Sequence, residues 1–442
     1  MFQSDVRLRG DGRPDLKKQF RVISGSICAP QGFKAAAVFC DIKRIGTGKG
    51  SEKGQKRDLA LIVSEVPAAV AGMFTSNQVC AAPVKVSAKN AKRHFARGIV
   101  VNSGNANACT GQQGLKDAQS MIETAAKHLG GSANEFLVCS TGRIGVPMPM
   151  ANVKRGITDA ATRLTRSRTA ARDTAEAIMT SDTRRKEIAV EFKMGGGPVR
   201  IGGICKGAGM IQPQMVPHAT MLGFITTDAA VESGYLKRAL AMAVGQSFNR
   251  ITVDGDMSTN DTVLILANGL AGNASSPDQD VFQRALNFVT LELAKMIVRD
   301  GEGVTRFVTL HVHGARTPKD AEAVVRSVAN STLVKTSWFG GDPNWGRILC
   351  AIGYAKAKVD ESRIDVGYSQ PGKNKITFAV RGGQPTRVGL QTLGAIVGRP
   401  EFDLNIFLNA GRHDCVLYTS DLTEEYVEFN KGNLSDPTSL GG

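Results

Sequence analysis

Apolar residues gather in short unbroken runs along the chain, and between the runs their spacing turns helical. Leu59-Ala-Leu-Ile-Val63, Gly98-Ile-Val-Val101 and Phe136-Leu-Val-Cys139 have the length and make-up of strands. Glu187 to Phe192 reads as a half-buried strand, and Met221 to Ile225 as a further apolar one. Ala118, Met121, Ile122, Ala125 and Leu129 fall on one face of a helix. The clearest helix starts at Ser276, with Pro277 at its first position and Gln279 placed for a capping box. Its stripe runs Phe282, Ala285, Leu286, Val289, Leu293, Met296 and Ile297. Strand and helix signals mix over the whole length, joined by Gly-rich connections. That pattern predicts an α/β (α+β) architecture and argues against a helical bundle or a sandwich.

At 442 residues the chain exceeds the size at which one core keeps growing, so two lobes are expected. With 42% hydrophobic and 21% charged residues it has the make-up of a folded globular protein. No apolar stretch is long enough for a membrane span. The net charge of +15 raises a nucleic-acid partner, but the basic residues are dispersed. The densest stretch, Lys43 to Arg57, is broken by glycines and lacks the aromatic platforms that single-strand binders use. Neither a nucleic-acid nor a membrane partner is expected. The eight cysteines are scattered with no CxxC pair, which predicts reduced, buried thiols in a reducing compartment, with the cytoplasm as the default location. Residues 1–25 read as an N-terminal extension; Asp5, Asp11 and Asp15 sit among its arginines, unlike a targeting peptide.

Three motifs fail on chemistry. Gly46-Thr-Gly-Lys49 has Lys43 where a phosphate loop needs its first glycine, and Gly50 where it needs a hydroxyl. Gly207-Ala-Gly209 is followed by Gln212 at the third glycine position of a dinucleotide fingerprint. His311 and His313 share a strand face, but no third ligand is near in sequence, so no metal is expected.

What remains is Lys206 to Asp228, where a lysine, two glycines and two prolines precede an Ala219-Thr220 step at the start of an apolar strand. A threonine there is ordinarily just a β-branched residue. If the preceding bond is cut, however, the new α-amine titrates near neutrality, at about 7.7–8.0, and can serve as base for its own hydroxyl. Around this step the chain resembles the ornithine acetyltransferase family, in Lys206-Gly-Ala-Gly-Met-Ile211 and in Ala219-Thr-Met-Leu222 followed by Phe224-Ile-Thr-Thr-Asp-Ala229. The resemblance extends to Asn102-Ser-Gly-Asn-Ala-Asn-Ala-Cys-Thr-Gly111, Ser140-Thr-Gly-Arg-Ile-Gly145 and Ile178-Met-Thr-Ser-Asp-Thr183. It continues through Ser247 to Asp256, Asp300-Gly-Glu-Gly303, Phe339 to Arg347 and Asp421 to Val427, in family order from about residue 30.

The resemblance implies a two-lobed mixed-sheet fold of this family's type, cut into an α chain (26–219) and a β chain (220–442) that pair as α2β2. It implies that Thr220 attacks the carbonyl of Ala219 to cleave the chain. Thr220 would then carry acetyl from N-acetylornithine to glutamate in arginine biosynthesis. Thr141 and Gly142 match the family's oxyanion hole, and Thr183, Lys206, Thr220, Glu302, Asn430 and Ser435 its substrate contacts. A lysine and a glutamate are sensible countercharges for an amino-acid substrate, although alone Lys206 reads as a surface lysine and Glu302 as a solvated loop charge. No bound cofactor is implied. Family members differ in whether acetyl-CoA is a further donor, and no residue here decides between them. This chain departs from the family pattern at Gln214, in the inserted Val216-Pro-His218, and in the extension from Asp436 to Gly442. Two other classes compete: a self-processing aminopeptidase of related fold with a serine nucleophile, against which Thr220 argues, and a basic, uncut binding protein.

Overall fold

The computed structural model describes residues 20–43, 56–214, 221–273 and 278–431. Contacts divide the chain into two compact units. One is built on residues up to Asn249 together with Asp256–Ile297, the other on Arg250–Gly255 and Val298–Phe429.

The first unit holds a nine-stranded sheet: β1 (Arg21–Ile23), β2 (Phe33–Val38), β3 (Leu59–Phe74), β4 (Phe95–Asn105), β5 (Phe136–Arg143), β6 (Lys186–Met194), β7 (Gly197–Lys206), β8 (Leu222–Thr227) and β9 (Thr262–Ala267). The order is β1-β6-β7-β8-β9-β3-β4-β5, with β2 also paired to β3. β4 and β5 run parallel, as do β8 and β9, and the other pairs are antiparallel. The expected mixed α/β architecture is therefore present.

The apolar runs are unbroken because both faces of these strands are buried. Leu59, Leu61, Val100 and Val138 pack with Met121, Ile122 and Ala125 of the helix Gly111–Leu129. Ala60, Ile62, Ile99, Val101, Leu137 and Cys139 share a second cluster with Ile204, Leu222, Phe224, Leu264 and Leu266. Residues of β4 and β5, on one side of β3 in the strand order, thus share a core with residues of β7, β8 and β9 on the other. β3 carries the chain between the halves, and its pairing with β4 breaks between Val63 and Ala68. Pro67 lies in that break, where its missing N–H leaves no gap in a ladder. The apolar run read from the sequence covers only Leu59 to Val63, because Ser64 and Glu65 follow it.

Helices of this unit are α1 (Ala82–Asn90), α2 (Gly111–Leu129), α3 (Met150–Thr162), α4 (Arg168–Ala177), α5 (Ser233–Gln246) and α6 (Gln279–Arg299), whose last two residues belong to the second unit. The stripe expected of α6 is buried at Phe282, Ala285, Leu286, Val289, Leu293 and Ile297. Its proposed start at Ser276 and Pro277 lies outside the described residues.

The second unit is a six-stranded sheet of β10 (Phe307–Ala315), β11 (Asp365–Ser369), β12 (Thr377–Arg381), β13 (Gln384–Pro385), β14 (Glu401–Phe407) and β15 (His413–Ser420), ordered β13-β12-β11-β14-β10-β15. Its helices are α7 (Pro318–Ala329), α8 (Thr332–Phe339), α9 (Trp345–Gly353), α10 (Leu390–Val397) and α11 (Glu424–Phe429). Val324 and Val328 of α7, Trp338 of α8 and Ile352 of α9 cover Leu310, Val366, Leu404 and Ile406 on one sheet face. His311 and His313 point the other way. Their rings stack on each other at 5.9 Å, and His313 stacks on Phe407 at 4.6 Å. Among the described residues no cluster of three or more His, Cys, Asp or Glu side chains is arranged to hold a metal ion, and no helix is long and apolar enough to cross a membrane.

The cysteines are free thiols, but not all are buried as expected: Cys109 and Cys350 are exposed. Cys109 precedes α2 with a left-handed backbone (φ 57°), and Cys350 lies on α9. Neither position was recognisable from spacing alone.

Candidate active site

Thr141 and Gly142 lie at the end of β5, where parallel pairing with β4 runs Ser103 to Thr141 and Gly104 to Gly142 before it becomes irregular at Asn105. Gly142 has φ +127°, and a Cβ there would sit 2.4 Å from the carbonyl carbon of Gly104. Gly104 has φ +98°, and a Cβ on it would come 2.6 Å from the Cα of Lys43. Two glycines therefore face each other where no side chain fits, with Thr141 almost buried beside them.

The irregular pairing leaves carbonyls to satisfy, and the Asn-rich run from Asn102 to Asn107 does so. The Asn102 amide donates to the Asn105 carbonyl at 2.9 Å and its oxygen accepts from Ser140 at 2.6 Å. The Asn105 amide donates to the carbonyls of Val146 and Pro147, both at 3.1 Å. A turn held this rigidly, with glycine at its tip, suits donors to a developing oxyanion. Gly142→Ala keeps the N–H but adds a Cβ that has no room against Gly104, so the turn must shift and the rate of acyl transfer should fall by about 10²-fold, the cost of a displacement near 1 Å. Single-turnover acetylation measures it, and a wild-type rate in the variant would remove this turn from the chemistry.

Lys206 ends β7, paired directly with Leu222 of β8. It is buried, with 8% of its surface exposed, so it is not the surface lysine that sequence alone suggested. Beside it lies Asp182, a residue whose role sequence reasoning missed although it stands within a quoted motif. The Asp182 carboxylate accepts from Lys186 Nζ at 2.6 Å, from the Gly207 amide at 2.7 Å and from the Thr180 amide at 3.0 Å. Burial alone would raise its pKa, but the Lys186 and Lys206 ammoniums and the Gly207 N–H outweigh it, and the carboxyl is held well below its ordinary range. Thr183 follows and is exposed. Asp182 thus gathers Thr183, Lys206 and the Lys206-Gly207 turn at one end of β7.

Ala219 and Thr220 lie outside the described residues, as do Val216, Pro217 and His218; the description resumes at Met221. The Thr262 amide donates to the Met221 carbonyl at 2.8 Å. Two residues earlier, the Asn260 side-chain amide donates to the carbonyls of Ser140 at 2.8 Å and Ala106 at 2.6 Å. The segment from Asn260 to Thr262 therefore joins the Thr141–Gly142 turn to the residue that follows Thr220. Across β8, Lys206 flanks the same strand start. Asn260 and Thr262 were not singled out from the sequence. The only signal was a polar run, Thr259-Asn-Asp-Thr262, opening an apolar strand.

Two further expected contacts, Glu302 and Asn430, lie among the described residues. Glu302 is half-buried in a turn of the second unit, within Asp300-Gly-Glu-Gly303. Gly303 takes φ +67° and its carbonyl accepts from the Thr423 hydroxyl at 2.8 Å. The Asp421 carboxylate accepts from the amides of Thr305 and Arg306, both at 3.0 Å, fastening the chain after Glu302. That explains the Asp421 to Val427 motif. Asn430 follows α11 and is exposed, and Ser435 and the extension beyond it lie outside the described residues.

A glycine-faced turn and a buried lysine thus flank one strand start. A family model, the ArgJ family, matches residues 35–433. The arginine biosynthesis bifunctional protein ArgJ of Symbiobacterium thermophilum is 44% identical over 412 residues, covering 92% of this chain and 98% of that one. The glutamate N-acetyltransferase of Methanocaldococcus jannaschii is 44% identical over 415 residues, covering 93% and 98%. A solved structure of ornithine acetyltransferase from Mycobacterium tuberculosis, complexed with ornithine, is 35% identical and covers 45% of this chain and 100% of that one, with a TM-score of 0.40. The chain belongs to the ArgJ family.

Proposed function

We propose that this protein is a glutamate N-acetyltransferase of arginine biosynthesis, working through an acetyl ester on Thr220 after the chain is cut between Ala219 and Thr220. Family membership over residues 35–433 supports the activity. The observation that carries the mechanism is the link from the Thr141–Gly142 turn, through Asn260 and Thr262, to the Met221 carbonyl.

The steps balance without a cofactor. In cleavage, the Thr220 hydroxyl adds to the Ala219 carbonyl, the peptide bond to the Thr220 nitrogen breaks, and water hydrolyses the resulting ester. The freed Thr220 α-amine then takes the hydroxyl proton as Thr220 attacks the acetyl carbonyl of N-acetylornithine. Thr141 and Gly142 stabilise the oxyanion, and the proton passes to the departing ornithine nitrogen. The glutamate amine attacks the acetyl ester in turn, restoring the Thr220 hydroxyl. Lys206 and Glu302 serve as countercharges to the substrate carboxylate and ammonium, with Thr183, Asn430 and Ser435 completing the contacts. β7 and β8 lie on opposite sides of the cut and pair from Ile201 to Lys206, which supports the two fragments staying together. The working form is an α2β2 assembly in the cytoplasm.

Incubation with N-acetylornithine, with and without glutamate, tests the activity. Transfer requires that ornithine release in repeated turnovers depend on glutamate and yield N-acetylglutamate. Acetate release at the same rate without glutamate would instead mark an amidase. A parallel reaction with acetyl-CoA and glutamate alone tells whether the enzyme has one donor or two.

A further inference from the structure

We infer that Asn260 is a positioning residue that sets the spacing between the oxyanion turn and the nucleophile strand, for self-cleavage and acetyl transfer alike; this rests on the function proposed above. Asn260 has 5% of its surface exposed and stands two residues ahead of the first residue of β9, Thr262. Both protons of its side-chain amide are used, at 2.6 Å to the Ala106 carbonyl and 2.8 Å to the Ser140 carbonyl. Its side-chain oxygen accepts from the Thr259 hydroxyl at 2.6 Å. These acceptors are informative. Ser140 directly precedes Thr141, and Ala106 follows the irregular end of β4 that faces Gly142. One side chain thus clamps both strands of the turn. The Asn260 backbone carbonyl accepts from the Thr262 hydroxyl at 3.0 Å, and the Thr262 amide holds the Met221 carbonyl at 2.8 Å. A polar path of four residues therefore runs from the oxyanion donors to the chain beside Thr220.

An amide is the right group for this place. The turn presents two carbonyls that need donors, and the neighbouring hydroxyl needs an acceptor; Asn supplies two donors and an acceptor in one plane. A carboxylate of the same shape would set acceptor against acceptor, and an aliphatic side chain would leave both carbonyls unsatisfied. Neither ladder of β5 nor of β9 runs through the Asn260 side chain, so its loss frees the turn relative to β8 without unpairing the strands. A displacement near 1 Å in a reacting geometry costs about 10²-fold in rate.

The test uses full-length Asn260→Ala and Asn260→Asp. Two rates are followed: disappearance of the uncut chain, and single-turnover acetylation by N-acetylornithine over a range of concentrations. Both rates should fall by about 10²-fold, while the N-acetylornithine concentration giving half the maximal acetylation rate changes by less than about threefold, because binding groups are untouched. Thr262→Ser should behave as wild type and Thr262→Val should slow both rates in the same sense. The Thr262 pair decides the matter should the Asn260 variants not fold. Wild-type acetylation rates in the Asn260 variants, or a loss confined to half-saturation, would overturn the inference and leave the function standing. A wild-type protein that forms no acetyl ester would overturn both.

Discussion

Thr220→Ala should yield a single chain with the full mass of 46.9 kDa and no transfer of acetyl from N-acetylornithine to glutamate. The expected loss is at least about 10³-fold, because the hydroxyl is at once the cleaving group and the acyl carrier. Thr220→Ser, which keeps an oxygen nucleophile and an α-amine, should still cut and still take up acetyl, at reduced rates. Gel electrophoresis and an ornithine-release assay read both variants. An alanine variant that is cut between residues 219 and 220, or that turns over normally, would assign the chemistry to another residue.

The largest effect on stability is expected at Asp182. Its carboxylate and Lys186 form a pair with 0% and 1% of their side chains exposed, and the Lys206 ammonium adds to the same local field. Removing the carboxylate in Asp182→Ala leaves buried positive charge without its counter-ion, a change that costs about 3–5 kcal/mol. The Gly207 amide loses its acceptor as well, so the turn carrying Lys206 should loosen and half-saturation by N-acetylornithine should rise. The pH dependence follows from the direction of the shift. The folded carboxyl is held below its unfolded value of about 3.9, so the stabilisation is complete above that pH and is lost only as pH falls towards the depressed folded value. Urea unfolding at pH 7 and at pH 5 should therefore show the same deficit in Asp182→Ala, narrowing only in stronger acid. A variant with wild-type stability at pH 7 would contradict this account of the cluster.

Much of the fold was legible because buried strands leave a simple trace. The runs at Leu59, Gly98 and Phe136 each opened or lay within a strand of the nine-stranded sheet, and the stripe of α6 is buried where its period placed it. The full length of β3 was not legible: it continues through Ser64, Glu65 and Pro67, where its pairing with β4 is interrupted, and a polar break in an apolar run reads as an ending. Of the site, Thr141 and Gly142 took their expected role from the resemblance alone; the structure adds the reason for glycine, the contact with Gly104. Asp182 and Lys186 stand four apart, the spacing of a solvated surface pair, and nothing local marks them as buried. Asn260 acts across 120 residues of sequence on Ser140, a distance that no local pattern encodes.

The central claim is that Thr220 is freed by cleavage and then carries the acetyl group. Intact mass spectrometry of the purified protein, before and after brief exposure to N-acetylornithine, tests it most directly. The account predicts two fragments, one ending at Ala219 and the other beginning at Thr220, with only the second gaining one acetyl group. A single uncut chain that never takes up acetyl would contradict it.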